Sequence, residues 1–350
     1  MLPFVTAGLP GSGGRLKASP EDFAVEELPA YEPQGHGPHL WLRVEKRGRT
    51  TRDVVRELAR ALSVAEREAG FAGMKDKAAV TTQWLSFPVA RDPDPAGLAG
   101  EGWRVLAASR HQNKLRLGHA RGNRFAVAVR GGDPARAAAC AAALAERGLA
   151  NFFGAQRFGA DGRNAAVGRA LLQGRTGDPE ARRAVRDRFL RRLCISAWQS
   201  ELFNRWLAER LADGLLDRAL AGDVMKKLDT GGLFLCEDPE ADGPRVARFE
   251  ISPAGPLFGH KLRESAGPAR EREDRLLAAS GVTADDLKAR GGGEAEGTRR
   301  PARLPVAVEL APLEDGYRAR FELPAGSYAT VVLGELMKSG TDAELPEGAE

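Results

Sequence analysis

Strand-like alternation stands at both ends of this chain and helical spacing fills its middle. The simplest fold for such a pattern is a mixed α/β domain interrupted by a largely helical insertion. Residues 23–28, 39–44, 82–87 and 125–129 alternate on the N-terminal side, and residues 304–310 and 317–323 resume the alternation near the C-terminus. Between them, Asp133-Pro134 opens a helix that Gly148 closes. A long helix follows with Leu193, Ala197, Phe203 and Leu207 facing inward, and residues 264–288 are charged and helical. Asp229-Thr230-Gly231-Gly232 marks a turn, residues 253–259 an ordered loop, and Gly291-Gly292-Gly293 a mobile connection. Thr51 is expected to cap a helix carrying Val54, Val55, Leu58 and Leu62, Ser63 a second short helix, and Ser327 a final helix.

Length and composition set limits without choosing a function. The 350 residues can bury a substantial core, and 43% apolar with 29% charged residues describes a soluble globular protein. Its net charge of +4 does not by itself indicate nucleic acid; the distribution says more. Residues 104–130 contain no acid but seven Arg or Lys, with His111 and Phe125 able to stack on an unpaired base. A second cluster, Arg182, Arg183, Arg186, Arg188, Arg191 and Arg192, encloses one acid, Asp187. Either cluster reads equally as a solvated basic surface.

Cys140, Cys194 and Cys236 form no pair with metal or redox spacing, so each reads as a small buried hydrophobe. The glycine-rich run ending in Arg15-Leu16-Lys17 lacks the spacing of a Walker or dinucleotide loop, and no apolar run approaches a membrane span. The expectation is a cytoplasmic monomer with neither cofactor nor metal.

The run Phe71-Ala72-Gly73-Met74-Lys75-Asp76-Lys77-Ala78-Ala79-Val80-Thr81-Thr82-Gln83-Trp84 sets Asp76 between two lysines, in a loop feeding a sheet edge. Two cations favour an ionised carboxylate, available as nucleophile or base, and suit a polyanionic ligand. A solvated charge cluster has the same composition.

Five segments in order resemble the TruD family, pseudouridine synthases that modify uridine 13 of transfer RNA. They are the run from Leu16 to Glu27, the run from Ala72 to Gln83, Arg121-Gly122-Asn123-Arg124-Phe125, Asn151-Phe152-Phe153-Gly154-Ala155-Gln156-Arg157-Phe158-Gly159, and the run from Leu323 to Thr330. The match is weakest over residues 160–300. The resemblance implies a pseudouridine synthase domain with a largely antiparallel sheet, formed by residues 1–155 and 301–340. A TruD-specific insertion would span residues 156–300, with a cleft between the two and a flexible tail at 341–350.

It also implies that Asp76 is the catalytic aspartate and that Phe125 lines the uracil pocket. Asn123, Lys17 and Glu27 would be pocket or supporting residues, and Lys75, Gln83 and Arg157 further substrate contacts. The partner implied is tRNA, with no second protein required. Asp76 would either attack ribose C1′ or abstract the 2′-proton. Alternatives of other classes are a non-catalytic RNA-binding protein and a small-molecule hydrolase; a synthase acting on a different RNA site is a third.

Overall fold

The computed structural model describes residues 2–16, 18–159 and 161–338. In chain order the first elements are β1 (Arg15–Leu16), β2 (Phe23–Pro29), β3 (His39–Lys46), α1 (Thr51–Ala61), β4 (Gly70–Phe71), β5 (Val80–Pro88), β6 (Ala99–Gly100), β7 (Trp103–His111), β8 (Ala120–Arg130) and α2 (Pro134–Arg147). Then come β9 (Leu149–Ala150), α3 (Asn164–Leu172), α4 (Pro179–Arg186), α5 (Arg188–Ala212), β10 (Val224–Lys227), β11 (Leu233–Leu235), α6 (Pro239–Ala247), β12 (Ile251–Leu257), α7 (Gly267–Ser280), α8 (Ala284–Arg290), β13 (Thr298–Pro301) and β14 (Arg303–Leu304). The last are β15 (Glu309–Leu313), β16 (Gly316–Pro324) and α9 (Ala329–Met337).

These elements form two compact units, one of Gly8–Ala145 with the chain from Val306 onward, the other of the residues up to Ala7 with Glu146–Pro305. The second unit therefore starts ten residues earlier and ends five later than the expected 156–300. The reason is local pairing: β9 joins β14 antiparallel, and Arg147 donates to the carbonyl of Val5. The expected tail at 341–350 lies outside the described residues.

In the first unit a ten-stranded sheet runs β15-β16-β8-β2-β5-β3-β7-β6, with β1 beside β8 and β4 beside β5. Its pairings are antiparallel except β2 with β5, whose crossover carries β3 and α1. α1 exists because Val54, Val55 and Leu58 recur on one face, and they pack on Leu40, Leu42, Val44, Leu85 and Phe87 of the sheet. Its cap is Thr50, not Thr51: the Thr50 hydroxyl accepts from Asp53 N and the Asp53 carboxylate accepts from Thr50 N. The short helix expected at Ser63 is a single 3-10 turn, Glu66–Glu68. The final helix is capped at Tyr328 rather than Ser327.

In the second unit α5 packs against a four-stranded sheet ordered β11-β10-β12-β13. The loop expected at 253–259 is largely strand β12, paired on both sides despite its prolines. Gly255 is required there, because a Cβ would stand 2.4 Å from the Trp206 ring. Two buried ion pairs tie the layers together, Arg210 with Asp223 and Arg299 with Glu273. Gly291-Gly292-Gly293 is a helix end running into a 3-10 turn rather than a mobile connection.

Candidate active site

Paired strands place facing residues on one side of the sheet, so register dictates what stands together. Leu323 is opposite Asn123, Asn123 opposite Glu27, and Gln83 opposite Val44. Since Glu26 is level with Thr82 in the parallel pair, Glu27 is level with Gln83. Asn123, Glu27 and Gln83 thus form a polar row across three adjacent strands, each at most 5% exposed. Two residues along, the next row on that face is Phe321, Phe125, Val25, Thr81 and Lys46. Buried polar groups in mid-sheet need partners, and the segment 73–76 supplies them.

Gln83 Nε2 donates to Gly73 O at 3.0 Å, while Gln83 Oε1 accepts from the Thr51 hydroxyl at 2.8 Å. The same hydroxyl accepts from Lys75 N at 2.9 Å. Lys75 Nζ then reaches Glu27 Oε2 at 2.9 Å and Asn123 Oδ1 at 2.8 Å. Lys46 Nζ donates to three carbonyls, Asp76 O at 2.6 Å, Arg49 O at 2.9 Å and Lys75 O at 3.1 Å. Asp76 itself is 3% exposed, and its Oδ1 accepts from Ala78 N at 2.9 Å. Each residue of the segment from Gly73 to Asp76, except Met74, is pinned by at least one side chain of the sheet or α1.

Burial lowers the Lys46 ammonium from 10.5 to about 8, Lys75 adds to the lowering, and Asp76 and Asp53 oppose it. Lys46 is thus a cation facing Asp76. The two sequence neighbours behave differently from the expectation: Lys75 turns to Glu27, and Lys77 is exposed. Nor does the loop feed an edge, since β5 lies between β2 and β3. Sequence reasoning missed Lys46 and gave Thr51 the wrong task. The available signal was phase: Leu40, Leu42, Val44 and Lys46 share one face of β3, and a lysine continuing an apolar face needs acceptors.

The remaining expected residues divide. Phe125 is 1% exposed, stacked on Phe321 at 5.3 Å between ring centroids and edge-on to Phe23 at 6.3 Å. His111 is not a free stacking surface either, being 2% exposed and stacked on Trp41. Arg157 belongs to the other unit, where its Nε donates to Ser200 Oγ at 3.2 Å. Lys17 lies outside the described residues. The acid-free run 104–130 is largely neutralised in space: Arg104 pairs with Glu45, Arg110 with Asp92, Arg124 with Glu26 and Glu322, and Arg130 with Asp22.

A loop held by its backbone beside a buried ammonium fixes the position of the carboxylate it carries, and a carboxylate so fixed can serve as a nucleophile or base. Known proteins resemble this chain over nearly its full length. A family model for tRNA pseudouridine synthase D (TruD) matches residues 2–185 and 176–336. The tRNA pseudouridine synthase D of Anaeromyxobacter dehalogenans (strain 2CP-1) is 74% identical over 349 residues, covering 100% of this chain and 99% of that relative. That of Thermus thermophilus is 46% identical, covering 96% and 92%. Among solved structures, the putative tRNA pseudouridine synthase D from Methanosarcina mazei superposes with a TM-score of 0.77 at 26% identity, over 97% of this chain and 96% of that one.

Proposed function

The chain belongs to the TruD family, and on that premise we propose that it acts on uridine 13 of tRNA with Asp76 as the reacting carboxylate. As a member it is a tRNA pseudouridine synthase, an isomerase. The reaction breaks the bond from ribose C1′ to uracil N1, turns the base, joins C1′ to C5, and moves the C5 proton to N1. Nothing is oxidised and no group enters from outside. What the enzyme must supply is a carboxylate at the sugar, a base for the C5 proton, and walls that keep the free uracil.

The observation that carries Asp76 into this role is its backbone carbonyl 2.6 Å from the buried Lys46 ammonium, with Ala78 N orienting its carboxylate. Fixed in this way, Asp76 serves either route: attack at C1′ forms an ester as the bond to N1 breaks, or removal of the 2′-proton gives a glycal. C5 then joins C1′ as the ester is displaced or the proton returns to C2′, which frees the carboxylate to take the C5 proton. Lys75, Glu27, Asn123 and Gln83 act beneath it as positioning residues, since their polar atoms are engaged with the loop and with one another. The Thr81 hydroxyl is buried with no partner among the described residues and is available to the uracil. Phe125, stacked on Phe321, supplies the apolar wall. The uridine must leave its own stack first, a cost of a few kcal/mol that phosphate contacts offset.

Mapping pseudouridine in tRNA from cells lacking the protein, and again after its return, tests this. Loss and restoration at position 13 is expected. Loss at another position would move the target, and unchanged uridine with tight tRNA binding would make the protein a binder rather than an enzyme.

A further inference from the structure

The two basic clusters exchange rank once the chain is folded. Arg104, Arg110, Arg124 and Arg130 of the first meet carboxylates on neighbouring segments. In the second, Arg182, Arg183, Arg186, Arg188 and Arg192 are all exposed, and among the described residues none reaches a carboxylate. The nearby acids are already engaged. Asp178 caps α4 and pairs with Arg163, Glu180 pairs with the same arginine, and Asp187 caps α5 through Leu190 N.

The local fold explains why the arginines stay free. α4 is seated by Ala181 and Ala184, both fully buried, so its remaining positions turn outward. The chain then breaks at Asp187, which ends α4 and begins α5, and the first turn of α5 presents Phe189 at 77% exposure. Val185, in the last turn of α4, is 52% exposed. A phenyl ring left in water among five uncompensated guanidinium groups is unfavourable for an isolated surface and suited to a partner with both anionic charge and flat apolar faces.

We propose that the α4–α5 junction is an RNA-docking surface, on which arginines including Arg186 and Arg188 hold phosphates while an unpaired base stacks on Phe189. The partner is the tRNA substrate, so this rests on the tRNA reading above and adds a second place of contact. Charge complementarity favours RNA. Guanidinium groups bind phosphate bidentately, and single-stranded nucleotides offer bases for stacking on an aromatic ring. A lipid surface fits less well, because the alanine face of α4 is already packed and only two exposed apolar side chains remain.

The test measures affinity of the full-length chain for an unmodified tRNA transcript over a range of KCl concentrations. Arg186→Ala with Arg188→Ala should flatten the plot of log K against log salt by about 1 to 2 units, as expected for two lost phosphate contacts. Phe189→Ala should weaken binding about 5- to 100-fold with the slope unchanged. Wild-type affinity and slope in both variants would overturn the proposal. So would intact tRNA binding with lost affinity for anionic phospholipid vesicles, which would give the surface to a membrane. A wild-type chain that binds tRNA but forms no pseudouridine, with both variants weakened, would remove the catalytic reading and leave this surface standing.

Discussion

A buried ammonium is tolerated only where acceptors are held for it, and Lys46 meets three backbone carbonyls, two of them in the Asp76 loop. Its charged form makes all three donations, so the support it gives is full below about pH 8 and declines above. Stability runs the opposite way. Between about 8 and the ordinary lysine value the unfolded chain holds a proton that the folded chain has released, so the folded state gains as pH rises through that window. Lys46→Met is expected to lower kcat about 10- to 100-fold through misplacement of Asp76 and to remove the alkaline fall near pH 8 from the rate profile. An unchanged alkaline limb in that variant would show that another group titrates. Glu27→Ala strands the Lys75 ammonium, whose side chain is 4% exposed, and should cost about 3–5 kcal/mol in urea unfolding.

How far sequence reached is also clearest among these residues. Lys75, Glu27, Asn123, Gln83 and Asp76 are joined in one network, through Thr51 and Lys46, because motif and strand phase are both local properties. The partnership of Lys46 with Asp76 spans 30 residues and follows from the β3–β5 register, which alternation alone does not fix. Thr50 and Thr51 are adjacent threonines of the same chemistry, and alternation does not tell them apart. Only the turn geometry assigns the first to capping and releases the second to the loop.

Among elements, strands with clean alternation were legible and β12 was not. Its Pro253, Gly255 and Pro256 read as loop residues, and its assignment comes from β10 and β13 pairing on either side. Gly255 tests that account. Gly255→Ala would force a methyl to 2.4 Å from the Trp206 ring, and about 3 kcal/mol of destabilisation is expected by denaturant titration. A neutral effect would mean α5 can retreat from the sheet. The first basic segment shows the converse limit: a run of one charge along the chain says little when neighbouring strands carry the opposite charge, as Glu26 and Glu322 do for Arg124.

For the whole molecule, the discontinuous arrangement was readable from the return of alternation near the C-terminus. Its boundaries were not, because the β9–β14 pairing is only two residues long. The cysteines report on both units: Cys140, Cys194 and Cys236 are free and buried, and burial raises Cys194 to about 11 and Cys236 to about 12. Alkylating reagent at pH 7 should therefore leave native thiols and activity intact and label all three in denaturant. Rapid labelling of the native chain would contradict that packing. The central claim is that one held carboxylate performs the isomerisation, and single-turnover assay of Asp76→Asn on a tRNA transcript tests it most directly. Binding at wild-type affinity with no pseudouridine formed is the predicted result, and pseudouridine formed at a near-normal rate would contradict it.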